Sequence, residues 1–156
     1  MPIRDACQDD IAALARIWHE GWQDAHAAIL PEELRRDRTL ARFRQRLGEA
    51  LERIRIAEIE GRTAGFTLVR EDELNQLYVT TAARGTGIAA RLVEDALDRI
   101  RETGAATAWL ACAIGNERAA RFYEKTGWRR TGVVSSRLET ADGPFSLDVW
   151  RYEIAL

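Results

Sequence analysis

The chain has 156 residues, 46% hydrophobic and 31% charged, with a formal net charge of −2 at neutral pH. That length suits one domain, residues 1–156, with a single sizeable core. The charge balance gives no global basic field for nucleic acid, and no stretch approaches the ~18 apolar residues of a membrane span.

Met1-Pro2-Ile3-Arg4-Asp5 lacks the apolar run of a secretion signal, so a cytoplasmic protein is expected. Cys7 and Cys112 stand far apart, so neither a disulfide framework nor a metal site is expected. Their small neighbours suggest buried thiols in a reducing compartment. Arg35, Arg36, Arg38, Arg42, Arg44 and Arg46 crowd one segment and read as a solvated helix face rather than a polyanion site.

Residues 2–6 read as a short first strand. Asp9 or Asp10 can start a helix, and Ile11, Leu14, Ala15, Trp18 and Trp22 then recur at helical spacing. Gly21 inside that run is expected to weaken or bend it. Pro31 suits the first turn of a second helix, whose apolar stripe is Leu40, Phe43, Leu47, Ala50, Leu51 and Ile54. Residues 54–59, 63–70 and 74–79 read as strands parted by Glu60-Gly61-Arg62 and Glu71-Asp72. Turns this tight join antiparallel strands.

From Gly87 a helix carries Ile88, Leu92, Val93, Ala96, Leu97 and Ile100 on one face, and Gly104 is placed to end it. The strand 106–111 follows this crossover and is expected to lie parallel to 74–79. A short helix over 116–126 stops at Gly127. A last hairpin, 128–134 and 147–154, turns at Asp142-Gly143, and its Phe145, Val149, Trp150 and Tyr152 could support a homodimer. The order implies an α/β (α+β) fold: a mixed, mostly antiparallel sheet of about seven strands with about four flanking helices.

The stretch from Leu77 to Ala90 carries the chemistry. Leu77-Tyr78-Val79 ends a strand, and Arg84-Gly85-Thr86-Gly87 opens the long helix. A helix start has unpaired N–H groups and partial positive charge. Glycines let an anion approach them. The amides of Gly85, Thr86, Gly87, Ile88, Ala89 and Ala90 are therefore candidates to bind a phosphate. No Gly-Lys-Ser/Thr follows, so this is not a mononucleotide loop. The third position of a dinucleotide fingerprint is Ala90, which that fingerprint tolerates. The antiparallel meander upstream argues against a dinucleotide fold.

Arg84-Gly85-Thr86-Gly87-Ile88-Ala89 resembles the Arg/Gln-x-x-Gly-x-Gly/Ala signature of the GNAT superfamily of N-acetyltransferases. A second block, Asn116-Glu117-Arg118-Ala119-Ala120-Arg121-Phe122-Tyr123 with Gly127-Trp128, resembles its Asn-x-x-Ala-x-x-Phe-Tyr-x-x-x-Gly-Phe segment. The resemblance implies the GNAT fold and acetyl-CoA as acyl donor, with no metal. It implies that Leu77, Tyr78 and Val79 pair with the pantetheine arm, which Asn116 and Ala119 also meet. Tyr123 then matches the acid that serves the departing sulfur.

The implied reaction is direct transfer of an acetyl group to a primary amine in a ternary complex, without an acyl-enzyme. An alkylammonium of pKa ~10.4 is free amine in only about one molecule in 2,500 at pH 7, so a base is needed. Glu73, Glu71, Asp72, Glu20 and Asp24 are candidates, with Glu73 placed first. Trp18 and Trp22 suit either an acceptor pocket or the core. Trp22-x-x-x-His26 before Leu30-Pro31 resembles a Trp-x-x-x-Tyr…Leu-Pro pattern of the family, with His26 at the aromatic position. The expected acceptor is a small-molecule amine. A protein N-terminal or lysine acetyltransferase, or a non-catalytic acyl-CoA-binding domain, are the alternatives.

Overall fold

Alternating and helical apolar periods become seven strands and five helices in the computed structural model, which describes residues 2–156. The first elements are β1 (Ile3–Asp5), α1 (Ile11–His26), α2 (Glu32–Asp37) and α3 (Leu40–Glu49). The meander follows as β2 (Ile54–Ile59), β3 (Arg62–Arg70) and β4 (Glu73–Val79). Then come α4 (Ile88–Glu102), β5 (Thr107–Ala113), α5 (Glu117–Lys125), β6 (Arg129–Thr140) and β7 (Gly143–Ala155). One sheet runs β1-β2-β3-β4-β5-β7-β6. Its pairs are antiparallel except β4 with β5, which is parallel, as the α4 crossover requires.

Each face of the sheet carries its own core. On one side Leu14, Trp18, Phe43 and Leu47 from α1 and α3 cover Ile54, Ile56, Phe66 and Leu68. On the other, Val93, Ala96 and Ile100 of α4 pack with Leu74, Leu110, Trp128 and Tyr152. Side-chain alternation along each strand divides the two sets.

Several expectations are corrected here. The helix expected from Pro31 is two helices. Arg38 leaves the helical region, and the Thr39 side chain caps α3 by accepting from the Arg42 amide. Ile54 belongs to β2, not to that helix. β6 and β7 run longer than read, because their polar residues form a two-stranded ribbon with alternating exposure. The four apolar residues named on the last hairpin take part in the domain's own packing. Val149 and Tyr152 are buried, Phe145 packs on the α1–α3 core, and Trp150 packs on the α4–α5 core. Cys112 is buried as expected, but Cys7 is exposed.

Gly21 does not break α1, which runs through it unbroken. A Cβ placed there would stand 2.4 Å from Cδ1 of Tyr78. Glycine lets α1 settle onto the Tyr78 ring. Gly48 in α3 is the contrast, with open space around a built Cβ. We expect Gly48→Ala to stabilise the fold by about 1 kcal/mol through helix propensity. Gly21→Ala should destabilise it despite the same propensity gain, because the ring must move. Urea unfolding of both variants measures the difference in sign.

Candidate active site

The parallel pairing of β4 with β5 joins Glu73 to Trp109, and the Trp109 amide also donates to the Asp72 carbonyl (3.1 Å). Beyond that point the two strands separate. β4 stays with β3 as far as Val79, and β5 stays with β7 as far as Ala113. A cavity of about 610 Å³ fills the gap, lined by both strands, the end of α1, the head of α4 and one side of α5.

A bulge shapes the β4 wall. Leu68 pairs with Gln76 and Val69 with Leu74, which leaves Asn75 without an opposite residue. The extra residue resets the alternation. Leu74 and Leu77 therefore both reach the α4 side, and Tyr78 reaches the α1 side. The amide of Thr80 donates to Ala64 across β3 (2.8 Å). Alternation then turns the amides of Leu77 and Val79 toward the open gap, whereas the Tyr78 backbone faces β3. Tyr78 meets the cavity through its ring, beside Phe66 and Trp18.

At the head of α4, the Thr80 side chain accepts from the Ala83 amide and steadies a single 3₁₀ turn over Thr81–Ala83. Gly85 and Gly87 take φ of 78° and 85°, where other L residues are strained. Among the described residues, the amides of Gly85, Gly87, Ile88, Ala89 and Ala90 donate to no protein acceptor. Thr86 departs from the expectation. Its amide donates to the Ala83 carbonyl (3.3 Å), and its hydroxyl donates to the same oxygen. Ile88 gives only its amide, since its side chain is buried with Leu92. Arg84 and Arg118 both reach the Asp24 carboxylate, at 2.7 and 2.8 Å. Those two bonds, Arg118 first, hold Asp24 below the usual carboxylate range.

On α5, Asn116 caps the helix by accepting from the Ala119 amide (3.3 Å), and both residues line the cavity. Tyr123 lines it too, among the rings of Phe122, Trp128 and Tyr152. Its hydroxyl has no hydrogen-bond partner among the described residues. Burial pushes its pKa above the usual phenol value, so it keeps its proton through the neutral range. Cys112 faces the same space, and burial pushes its thiol up to about 11.

Other predicted residues fall elsewhere. Trp18 and Trp22 are core, at 1% and 5% exposure, with Trp18 stacked 4.7 Å from Phe43; neither lines the cavity. Glu73 sits at the closed end of β4 and accepts from the Asn75 amide group (3.1 Å). Burial raises its pKa. The sequence reading did not place the polar side chains of Asn75 and Gln76 at the cavity, and it carried His26 only through the resemblance to a family pattern. Periodicity carries no sign of a bulge. For His26 the signal was its place at an aromatic position. Its Nδ1 is buried without a partner, and burial first, then Arg38, pushes its pKa down to about 4.

Residues 11–128 match the acetyltransferase (GNAT) family. A relative in Mycobacterium tuberculosis, named an uncharacterized N-acetyltransferase, is 36% identical over 103 residues, 63% of this chain and 66% of the relative's length. A GCN5-related N-acetyltransferase from Rhodopseudomonas palustris has the same fold, with TM-score 0.77 at 20% identity, covering 99% of this chain and 95% of that one. The PaiA N-acetyltransferase of Thermoplasma acidophilum, solved in complex with coenzyme A, gives 0.70 at 19% identity, covering 99% and 98%. A mixed sheet split beside an open helix head is thus an N-acetyltransferase architecture. The chain belongs to the acetyltransferase (GNAT) family.

The two thiols should differ sharply in reactivity. A thiol at about 11 is only roughly a thousandth thiolate at pH 8. Iodoacetamide at that pH should label exposed Cys7 well before Cys112, as read by peptide mass spectrometry.

Proposed function

We propose that this chain moves the acetyl group of acetyl-CoA to a primary amine by direct attack in a ternary complex. What supports the reading most is the gap between β4 and β5 beside the free amides of Gly85, Gly87, Ile88, Ala89 and Ala90. Coenzyme A has a matching sequence of parts. Its diphosphate suits the positive helix head, with Arg84 alongside. Its pantetheine amides suit Leu77 and Val79 as an added strand, flanked by Asn116 and Ala119.

The chemistry then follows from the residues at the gap. An amide of Leu77 or Val79 polarises the thioester carbonyl. The amine nitrogen attacks the carbonyl carbon, the C–S bond breaks, and the electron pair leaves on sulfur. Tyr123 donates its hydroxyl proton to that sulfur. A thiol has pKa ~8.5, so complete transfer from a phenol of raised pKa is uphill by more than about one unit. The donated hydrogen bond is therefore the larger part of the role, and Tyr123 recovers any proton it gives from the nitrogen of the tetrahedral adduct, which still carries a proton to lose after attack. Before attack, Glu73, set back at the closed end of β4 and bonded to the cavity-lining Asn75, takes the incoming ammonium's proton through water. Its raised pKa makes it a stronger base than an exposed carboxylate. Cys112 stays protonated and takes no part as a nucleophile.

The hairpin tip favours a small-molecule acceptor over a peptide. Arg38 donates to the Glu139 carbonyl (2.9 Å), and the Ala141 amide donates to Asp37 (2.7 Å). These bonds fasten the β6–β7 turn to α2, on the same side of the sheet as α1.

Three variants test the reading. Gly87→Asp puts a negative charge and a strained side chain into the diphosphate cradle; calorimetry should show acetyl-CoA affinity falling by two orders of magnitude or more, on the order of 10². Tyr123→Phe should lower kcat by on the order of 10²-fold while the KM for acetyl-CoA stays nearly constant. Glu73→Gln should lower kcat too. In the parent protein the base form of Glu73 is lost as pH falls through a pKa above its ordinary value. An acid limb of kcat above the usual carboxylate range should therefore disappear in the variant.

A further inference from the structure

Charge is unevenly placed around the cavity. Its charged lining side chains, Arg84, Arg118 and Lys125, belong to the turn before α4 and to α5. The wall that α1 contributes is Gly21, Ala25 and His26. Burial holds the imidazole neutral, so this wall carries no charge through the neutral range. Across the gap, Cys112 packs in the α4–α5 core, and strand alternation turns Ala111 and Ala113 to the α1 side. The Tyr78 ring lines the cavity against Gly21. The amides of Gln76 and Asn75 are engaged, Gln76 donating to Asn75 (3.2 Å) and Asn75 to Glu73 (3.1 Å).

His26 is the one polar side chain that α1 brings to this wall. Its Nδ1 is enclosed; Nε2 is the nitrogen left open, and it makes no hydrogen bond among the described residues. The ring rests on Trp22, 5.5 Å between centroids. The His26 carbonyl accepts from the amides of Ile29 (3.0 Å) and Leu30 (2.9 Å), and this turn carries Ile29 across to Gly115. Ile29 carbons stand 3.5 Å from where a Cβ on Gly115 would lie. The facing turn is closed by the Asn116 amide donating to the Ala113 carbonyl (3.0 Å), with Ile114 and Gly115 at its tip. Ile29 and Ile114, at 39% and 40%, are exposed large apolar side chains, and they stand beside each other here. An apolar rim thus tops an uncharged wall. A charged frame would shed its water against carbon at this end, whereas an apolar frame gains by burial.

We propose that the acceptor is a primary amine on an uncharged apolar frame, with the frame held against Ala25, Ala111 and the Ile29–Ile114 rim and the nitrogen hydrogen-bonded to Nε2 of His26. The proposal rests on the acetyl-transfer reading above. It selects alkylamines and arylalkylamines and disfavours polyamines and amino acids.

The test uses three amines that differ only at the far end of one carbon chain: hexylamine, 1,6-diaminohexane and 6-aminohexanoate. Thiol release from acetyl-CoA is followed for each. Hexylamine should exceed both others in kcat/KM by roughly tenfold or more. Ile114→Lys, a change at an exposed site, should raise the KM for hexylamine by about tenfold and narrow its lead over 6-aminohexanoate. His26→Phe should raise the KM for all three amines and keep their ranking, and His26→Gln should restore part of the loss. Acetyl-CoA affinity by calorimetry and the thermal midpoint are the controls for folding. Equal rates for the three amines, or preference for a charged one, would overturn the apolar site and leave acetyl transfer standing. An unchanged hexylamine KM in Ile114→Lys would overturn the rim, and an unchanged KM in His26→Phe would overturn the imidazole anchor. If no amine is acetylated, hexylamine binding to the acetyl-CoA complex is measured by saturation-transfer NMR. Binding weakened by Ile114→Lys would uphold the apolar site and overturn the transferase reading. Absence of binding would overturn the apolar site.

Discussion

One divided loyalty within the sheet governs the site. β4 keeps its ladder with β3, and β5 keeps its ladder with β7 through all seven residues from Thr107 to Ala113. The two inner strands meet by strand pairing only at Glu73 and Trp109. Sheet twist rotates successive strands, and the Asn75 bulge adds to that rotation on one side. Past the meeting point neither strand can follow the other without breaking its outer ladder. A gap forms, and the backbone edges left unpaired there are the ones a polar, extended ligand can use.

The gap has walls of different electrical character. The α4 end presents backbone dipoles and two arginines already drawn together by Asp24. The α5 side presents a neutral phenol and a neutral thiol, both held protonated by burial. The α1 side presents a neutral imidazole. Water-poor surroundings strengthen each of these effects relative to an exposed surface. Dipoles and charges therefore sort a ligand's groups by sign before any covalent step begins.

Much of this could be read from residue order alone. Tight turns fixed the antiparallel meander, the α4 crossover fixed the parallel pair, and two glycines at positive φ marked the helix head. What escaped were features that depend on distant partners. Trp18 looks like pocket or core until Phe43 is stacked against it. Thr86 looks like a phosphate donor until the Ala83 carbonyl takes both of its donors. The break at Arg38 is local, yet a continuous apolar stripe from Leu40 onward hid it, because periodicity reports a face and not where a helix starts. The buried side of the arginine segment escaped for a related reason. Charge density suggests solvent, whereas the hairpin tip, about a hundred residues away in sequence, covers Arg38.

The contact between Gly21 and Tyr78 has a further meaning for this architecture. The hydrogen at one position and the aromatic ring at the other occupy what amounts to a single volume, shared between a helix and a strand. Neither residue can grow unless the other shrinks. Variation at these two sites is therefore tied together, and a chain that placed alanine on the helix would need a slimmer side chain on the strand to keep the same spacing between layers.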